Sequence, residues 1–309
     1  MIFKLAASHC PRLQQKKPKM SKTTPIKRTT ITNIRARKGG TPIICLTAYT
    51  APMTALIDPH VDLLLVGDSL GMVVHGHETT LNVTLDEMIL HARSVMRANP
   101  KSLVVVDLPF GTYEESPQQA HKTCVRVMQE TGADAVKLEG GIVHADTIAF
   151  LTKRGIPVMA HIGLQPQAVM STGGYRIVGR NDEQWQQTLA DAKAVEAAGA
   201  FAVVIEGVVE DLAAEITQAL SIPTIGIGAS AQCDGQILVT EDMLGLFERT
   251  PKFVRKFAAL NEVISEAIAD YANSVTNRSF PGLAEIYDTG NGPAKESGDE
   301  DNNVTAIKR

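Results

Sequence analysis

Short apolar runs recur along this chain, and each is followed by a segment with helical periodicity; this repetition limits the possible folds most strongly. Continuous apolar runs of this length are typical of parallel strands that are covered by helices on both faces. We predict strands at residues 42–47, 62–66, 103–106, 135–138, 157–160, 201–205 and 223–227. An eighth strand is predicted around residues 253–257.

The segments between these runs carry helix signals. Thr84-Leu-Asp-Glu87 has the form of a capping box, and Ser116 is followed by a proline at the first helical position. Eight strand-then-helix units in about 260 residues are what a (β/α)₈ barrel requires. A doubly wound open sheet would normally have a glycine-rich phosphate loop after its first strand, and the segment TAYTAPM is not one. The sequence therefore favours an α/β fold of the (β/α)₈ TIM-barrel class.

The two ends of the chain differ from its centre in composition. The first 57 residues contain eleven Lys and Arg and no Asp or Glu, whereas residues 288–309 have almost no apolar side chains. We predict a basic, disordered extension over residues 1–28, a single catalytic domain over residues 29–287 and a disordered polar tail over residues 288–309. For the extension, a targeting segment or contact with an anionic surface remains open.

Neither the apolar runs nor the cysteines indicate a membrane protein or a disulfide scaffold. No stretch approaches the ~20 consecutive apolar residues of a membrane-spanning helix. Cys10, Cys45, Cys124 and Cys233 have no paired spacing, which argues against a disulfide framework and a zinc ribbon. The basic extension has no aromatic residue except Phe3, so we do not expect it to bind nucleic acid.

Ionisable residues stand where five consecutive predicted strands end. These residues, in chain order, are Asp68, Asp107, Glu139, His161 and Glu206. A single acid after a strand is usually a helix cap or a turn residue. Five in succession are harder to explain in that way, because the carboxyl ends of barrel strands surround the active site in enzymes of this fold. The pattern therefore predicts a catalytic site at this end of the barrel.

Three of these residues form a candidate metal site. Asp68, Asp107 and Glu139 come from neighbouring strands, and carboxylates that converge in one cleft repel each other unless they are protonated or share a cation. Such hard oxygen ligands suit Mg²⁺, and no cysteine or second histidine joins them to favour zinc. Glu206 stands two strands away, where it is free to accept a proton or to pair with a nearby Lys or Arg.

Lys137 and Ser69 are candidates for contact with a substrate, and His161 is a candidate for a supporting position beside the ligand set. Lys137 precedes Glu139 by two residues, so both side chains face the same side of a strand. It can bind a carboxylate, stabilise an enolate oxygen or form a Schiff base, and the sequence does not separate these roles. The Ser69 hydroxyl and local N–H groups can hold an anion. His161 can donate a hydrogen bond or a proton, or it can be a structural histidine.

The segment His75-Gly-His77-Glu78 places two imidazoles and a carboxylate close together. Both histidines face the same side if the segment is extended, as metal ligands would. We interpret the segment as a loop, because the sequence offers no distant third nitrogen or sulfur ligand that would indicate zinc.

Longer motifs carry a specific resemblance to a known family. In order along the chain these are LLLVGDSLGMVVHGHETT, VVVDLPFGTY, AVKLEGG, AHIGLQPQ, GGYRIVGR, AAGAFAVVIEGV, IPTIGIGAS and DGQILV. Their order and spelling resemble the ketopantoate hydroxymethyltransferase family, which makes a precursor of pantothenate. The resemblance covers roughly residues 30–282 and leaves out both tails.

The resemblance implies a (β/α)₈ barrel of the phosphoenolpyruvate/pyruvate-binding type, a cytoplasmic location and a homo-oligomer, commonly a decamer. The implied reaction transfers a hydroxymethyl group from 5,10-methylenetetrahydrofolate to 3-methyl-2-oxobutanoate, with Mg²⁺ as cofactor. By motif, the implied residues are the metal ligands Asp68, Asp107 and Glu139, the oxo-acid contacts Asp68, Ser69, Asp107 and Lys137, and the proton acceptor Glu206. How the folate is held is not specified by any motif.

The sequence departs from the family pattern at four positions near these motifs. They are Thr50, Asn82, Ala160 and Ser230, where aspartate, proline, glycine and glycine are more usual. None of the four is a proposed ligand or base. We therefore expect them to affect the rate and not the class of reaction.

The alternative enzyme class is a magnesium-dependent lyase of the isocitrate lyase and phosphoenolpyruvate mutase type. Such enzymes share an acidic metal site at the end of a barrel and also work on 2-oxo acid enolates. They typically carry a catalytic cysteine in a KKCGH-like segment, and this sequence contains no such segment.

Overall fold

The computed structural model describes residues 27–287. The predicted tail at residues 288–309 and the first 26 residues of the predicted extension lie outside the described residues. The chain divides into two compact units, with the boundary between Leu238 and Val239. A single domain over residues 29–287 stays a prediction.

The first unit is a closed barrel of eight parallel strands in which each strand pairs with its neighbours in chain order and the last pairs with the first. The strands are β1 Ile43–Thr47, β2 Leu63–Val66, β3 Leu103–Asp107, β4 Ala135–Glu139, β5 Val158–Gly163, β6 Ala202–Glu206, β7 Thr224–Ile227 and β8 Gly235–Leu238. The predicted (β/α)₈ barrel is thus confirmed.

The eighth strand was predicted in the wrong place. Residues 253–257 form no strand, and two basic residues, Arg255 and Lys256, interrupt their apolar pattern. Instead, β8 closes the barrel by pairing with β1 in the register Ile43↔Gly235 to Leu46↔Leu238. A Cβ atom at Gly235 would lie 2.5 Å from the Ile43 carbonyl oxygen, so this close pairing requires glycine. The strand therefore lacks the continuous apolar run that marks the other seven.

Helices cover the outside of the barrel. The α-helices of this unit are α1 Ile31–Arg35, α2 Ala51–Ile57, α3 Leu70–Val73, α4 Leu85–Arg97, α5 Pro117–Thr131, α6 Ala145–Thr152, α7 Val169–Thr172, α8 Asp182–Ala197 and α9 Glu210–Ala219. Short 3₁₀ helices occupy Asp58–His60, Thr80–Asn82, Ile142–His144 and Pro166–Ala168. The predicted capping box begins α4, and the Ser116 side chain caps α5 as expected.

Two apolar clusters fill the barrel unit, because alternate residues of a strand face opposite sides. The outer cluster joins the strands to the helices and includes Val104, Val106, Val136, Ala160 and Val203. The inner cluster takes alternate residues from all eight strands, namely Ile43, Cys45, Leu63, Leu65, Leu103, Val105, Ala135, Met159, Ala202, Val204, Ile225 and Ile237. The barrel interior is therefore a packed apolar core up to the point where ionisable residues begin.

The second unit contains α10 Thr240–Met243 and α11 Leu260–Thr276. No residue of α11 is buried. Ile264, Ile268, Tyr271 and Val275 recur at helical spacing and are exposed. Among the described residues, no helix combines the length and the apolar character needed to cross a membrane.

Candidate active site

The ionisable residues predicted from the strand ends lie together above the apolar core of the barrel. Asp107, Lys137, His161 and Glu206 each stand two residues beyond an inner-core residue of the same strand, so they share its inward face. Asp68 follows β2. All except Glu206 are at least 96% buried, and the Glu206 side chain is 16% exposed. The structure therefore brings together the predicted site.

Asp107 and Lys137 form a buried ion pair. The Lys137 ammonium donates to Asp107 Oδ1 at 2.6 Å, across the β3–β4 register in which the two residues are paired. Burial alone lowers the pKa of Lys137, but Asp107, Glu139 and Asp68 together raise the pKa above its usual range. Lys137 is therefore protonated, which favours binding of an anion over formation of a Schiff base.

Asp68 and Glu139 are buried carboxylates that are joined through Gln167. The Gln167 side-chain amide donates to Asp68 Oδ2 at 2.8 Å, and its backbone N–H donates to Glu139 Oε2 at 3.0 Å. Burial, followed by repulsion from Asp107, raises the pKa of Asp68 to about 7. Burial also raises the pKa of Glu139 well above its usual value, although Lys137 opposes this. The positive charge near these carboxylates is therefore too small to keep them all ionised.

His161 lies between two carboxylates. Its Nδ1 is 3.6 Å from Glu139 Oε1, and its Nε2 is 3.3 Å from Glu206 Oε2. Both ring nitrogens are buried and have no partner that satisfies hydrogen-bond geometry. A buried polar atom in this state indicates a site that is completed by a further group. The predicted position of His161 beside the ligand set is consistent with this geometry.

Ser69 reaches the site beside Asp68. Its hydroxyl lies 2.8 Å from the Tyr49 hydroxyl, and Tyr49 itself is buried at the end of β1. This contact fixes the direction of the serine side chain at the start of α3. A hydroxyl held in this way can contact an anionic substrate.

Sequence reasoning missed three polar residues that support the site: Gln167 and Tyr113 beside the carboxylates, and Tyr49 beside Ser69. Gln167 was not singled out, although it lies in the motif HIGLQPQ. Tyr113 ends the motif VVVDLPFGTY, and Tyr49 lies in the segment TAYTAPM. The Tyr113 hydroxyl donates to Gln167 Oε1 at 2.6 Å and accepts from the Glu139 N–H at 3.3 Å. Loop residues of this kind have no periodic signal, and only their position within a motif could have identified them.

The four departures from the family pattern occupy supporting positions. Thr50 precedes α2 as its N-cap residue, and Asn82 ends a 3₁₀ helix. Ala160 is buried on the outer face of β5. Ser230 is buried, and its carbonyl accepts a hydrogen bond from Gln236.

A cavity of about 340 Å³ opens beside Glu139 and Gln167. Its remaining lining is mixed aromatic, apolar and polar: Leu81, Phe110, Tyr113, Glu114, His144, Gln165, Ala168, Met170 and Ser171. Phe110 and Met170 are substantially exposed, at 49% and 78%. The acidic site is therefore adjacent to a space for a second, partly apolar molecule.

A closed (β/α)₈ barrel with converging, buried ionisable groups at the carboxyl ends of its strands defines a barrel enzyme. Comparison with known proteins identifies the family. The family model described as ketopantoate hydroxymethyltransferase matches residues 28–283. The chain belongs to this family, as its motifs predicted.

Relatives support the same assignment. The 3-methyl-2-oxobutanoate hydroxymethyltransferase of Bartonella quintana is 62% identical over 262 residues, which cover 85% of this chain and 95% of the relative. The enzyme of the same name from Phenylobacterium zucineum is 59% identical, with the same coverage.

Solved structures show a similar fold at low identity. A 2,3-dimethylmalate lyase of the PEP mutase/isocitrate lyase superfamily has a TM-score of 0.53 and 18% identity, covering 83% of this chain and 87% of its own. A phosphonopyruvate hydrolase determined with oxalate and Mg²⁺ has a TM-score of 0.54 and 12% identity, covering 84% and 92%. At this identity, the similarity shows a shared barrel fold and no more.

Proposed function

We propose that the chain transfers a hydroxymethyl group from 5,10-methylenetetrahydrofolate to 3-methyl-2-oxobutanoate and forms 2-dehydropantoate, in the synthesis of pantothenate. The observation that carries this proposal is the 62% identity, over 95% of the relative's length, to a protein named 3-methyl-2-oxobutanoate hydroxymethyltransferase. The chemistry of the described site supports it, because the site contains groups for binding an anion and for removing a proton.

We further propose Asp68, Asp107 and Glu139 as the ligands of a Mg²⁺ ion. Their donor set fits such an ion, since all three offer oxygen and the raised pKa values of Asp68 and Glu139 reflect buried, mutually repelling carboxylates. Asp68 and Asp107 would also lie against the oxo acid in this arrangement. When bound, the ion would act as a Lewis acid that stabilises negative charge on the substrate's oxygens.

The chain's own residues would bind and deprotonate the oxo acid. Lys137 would neutralise the substrate carboxylate, and the Ser69 hydroxyl would donate a hydrogen bond to it. Glu206 would accept the proton from C3, and the resulting enolate carbon would form a C–C bond to the one-carbon unit of the folate. The two C–N bonds of that unit are replaced by this C–C bond and by a hydroxyl from water. Tetrahydrofolate leaves with the C3 proton and one proton of the water on its two nitrogens. The partial exposure of Glu206 supports this role, because a base must be reached by the substrate.

His161 would act as a positioning residue for this base. Its Nε2 is 3.3 Å from Glu206 Oε2, so a proton on that nitrogen would hold the carboxylate in one orientation. His161 need not touch the substrate in this arrangement.

The cavity beside Glu139 would hold the folate. Its exposed Phe110 and Met170 offer apolar surface for an aromatic ring, next to the carboxylates where the oxo acid would lie. The Phe110→Ala variant should raise the KM for the folate while leaving proton exchange at C3 unchanged, because that exchange needs no folate. Steady-state kinetics and NMR exchange measure the two effects separately.

We also propose a cytoplasmic homo-oligomer, with a decamer as the assembly to test. The exposed apolar residues of α11 support an oligomer, since a row of Ile264, Ile268, Tyr271 and Val275 is costly to leave in water. Analytical ultracentrifugation measures the number of subunits directly.

The test of the proposed reaction is product analysis with the purified chain. With 3-methyl-2-oxobutanoate, 5,10-methylenetetrahydrofolate and Mg²⁺, mass spectrometry should detect 2-dehydropantoate. The alternative lyase would instead cleave a substrate such as 2,3-dimethylmalate without folate. Cleavage in the absence of transfer would overturn the proposed function.

A further inference from the structure

Two histidines lie close together in the loop that follows α3. His75 and His77 flank Gly76, whose φ of +75° is in the left-handed region that favours glycine. The two imidazole rings are 5.8 Å apart between centroids and nearly perpendicular. The loop is anchored by the His77 N–H, which donates to the Gly71 carbonyl at 2.8 Å. The turn therefore brings two nitrogen donors to one side of the loop.

Helix α4 adds a carboxylate to these two imidazoles. Glu87 Oε2 accepts hydrogen bonds from the Thr84 N–H and hydroxyl, both at 2.7 Å, in the capping box that begins the helix. The other oxygen, Oε1, is 3.6 Å from His75 Nδ1. One donor atom from each of His75, His77 and Glu87 lies within 4.8 Å of the others. We call these three residues the histidine cluster.

A chain of hydrogen bonds selects the tautomer of a neutral His75 ring. His91 Nδ1 is 2.8 Å from the Tyr49 carbonyl oxygen, which can only accept, so this nitrogen carries the proton. In the neutral ring, His91 Nε2 then carries a lone pair and can only accept a hydrogen bond. It lies 3.2 Å from His75 Nε2. His75 therefore donates through Nε2 and leaves its own Nδ1 as a lone pair.

This lone pair on His75 Nδ1 faces Glu87 Oε1, which is also an acceptor. Two acceptors 3.6 Å apart repel each other unless a cation lies between them. The arrangement also matches a recurrent feature of metal sites, in which the ligating histidine donates its other ring N–H to a second group. Here His91 is that second group, and the Tyr49 carbonyl orients it in turn.

We propose that the histidine cluster binds a divalent transition-metal ion of the zinc class, distinct from the acidic site of the barrel. Two imidazoles and one carboxylate suit zinc far better than magnesium, and water would complete four ligands. All three ligands are at least partly exposed, so an ion can enter from solvent. The ion would connect the loop after α3 to the first turn of α4. His91 would be a positioning residue that orients the His75 ring.

The test is a zinc titration of the full chain, freed of metal and then supplied with saturating Mg²⁺ to occupy oxygen sites. Calorimetry should show one zinc ion per chain, and Co²⁺ as a probe should give the visible absorption of a nitrogen-ligated ion. His77→Ala should weaken zinc binding at least 100-fold, and His91→Ala about 10- to 100-fold.

Two further variants separate metal binding from damage to the fold. Glu87→Gln keeps the capping box, which accepts Gln at this position, but removes the anionic ligand, so it should weaken zinc binding without unfolding α4. His60→Ala removes an exposed histidine outside the cluster and should bind zinc as the wild type does. Zinc should raise the Tm of the wild type and of His60→Ala, but not that of His77→Ala.

The proposal is wrong if the titration curves of the wild type, His77→Ala and Glu87→Gln coincide. It is equally wrong if the wild type binds no equivalent of zinc, in which case a proton on His75 provides the positive charge between that ring and Glu87. Neither result bears on the reaction proposed for the barrel, because the three ligands of the histidine cluster are not among its proposed residues.

Discussion

The barrel interior has two parts that lie on the same strands and face the same axis, yet they differ completely in chemistry. Val105, Ala135 and Met159 are apolar and fully buried. Two residues further along the same strands stand Asp107, Lys137 and His161, which are almost as deeply buried. We call these the apolar layers and the charged layer.

The apolar layers stabilise the barrel, whereas the charged layer provides the groups for its proposed chemistry. Burial of the apolar layers releases water from apolar surface and stabilises the fold. Burial of the charged layer is unfavourable unless every charge has a partner, and it also places the charges in a medium where they act strongly on each other and on a substrate. Substitutions in the two layers should therefore affect different measurements.

A large effect on kcat/KM should come from removing the cation of the charged layer. Lys137→Met leaves Asp107 buried without its partner and removes the group proposed to bind the substrate carboxylate. We expect kcat/KM for the oxo acid to fall about 10²- to 10³-fold, or ~3–4 kcal/mol. Lys137→Arg keeps the charge and should lose less. A kcat/KM for Lys137→Met close to that of the wild type would show that the ion pair is only structural.

The next effect is on stability and comes from the apolar layers. Met159→Ala, two residues from His161 on β5, removes a fully buried side chain and should lower the free energy of unfolding by about 2–5 kcal/mol. Activity per folded molecule should change little, because no charge is altered. Urea unfolding with saturating Mg²⁺ measures the loss. A variant that stays stable but loses activity would contradict the separation of the two layers.

A smaller effect concerns protons in the charged layer. The folded-state pKa of Asp68 is about 7, above its unfolded value, so the folded chain holds a proton that the unfolded chain has lost between about pH 4 and pH 7. Without metal, this contribution to stability is present below that window and is lost as pH rises through 7.

Binding of Mg²⁺ at these carboxylates should therefore release protons below pH 7. We expect on the order of one proton per ion at pH 6 and fewer at pH 8. Calorimetry in buffers of different ionisation enthalpy counts the protons. Asp68→Asn should release fewer protons at pH 6 than the wild type. Equal release at pH 6 and pH 8 would remove Asp68 from the ligand set.

The same comparison explains what the sequence could and could not predict about the fold. Seven strands were predicted to within a few residues because their covered faces require continuous apolar runs, as in Leu103–Asp107. The eighth was missed because its close approach to β1 requires Gly235 and leaves a short, broken run. Periodicity detects burial of side chains, and β8 is defined by backbone pairing instead.

The strands were predictable from their apolar runs, whereas the charged layer was predictable from where the strands end. The ends of parallel strands meet in space, so a rule of topology placed Asp107, Glu139 and Glu206 together before any coordinates were known. Gln167 connects two of the carboxylates from a loop, and no rule of strand or helix spacing leads to it. The contact of His75 with Glu87 likewise depends on how a loop folds onto α4.

Exchange of the C3 proton of 3-methyl-2-oxobutanoate in D₂O tests the central claim most directly, since it isolates the step assigned to the charged layer. Followed by NMR without folate, the wild type should exchange this proton only when Mg²⁺ is present. Glu206→Gln should still bind the oxo acid but exchange the proton about 10²- to 10⁴-fold more slowly. Exchange at the wild-type rate in Glu206→Gln would contradict the account, because the proton would then be taken by another group.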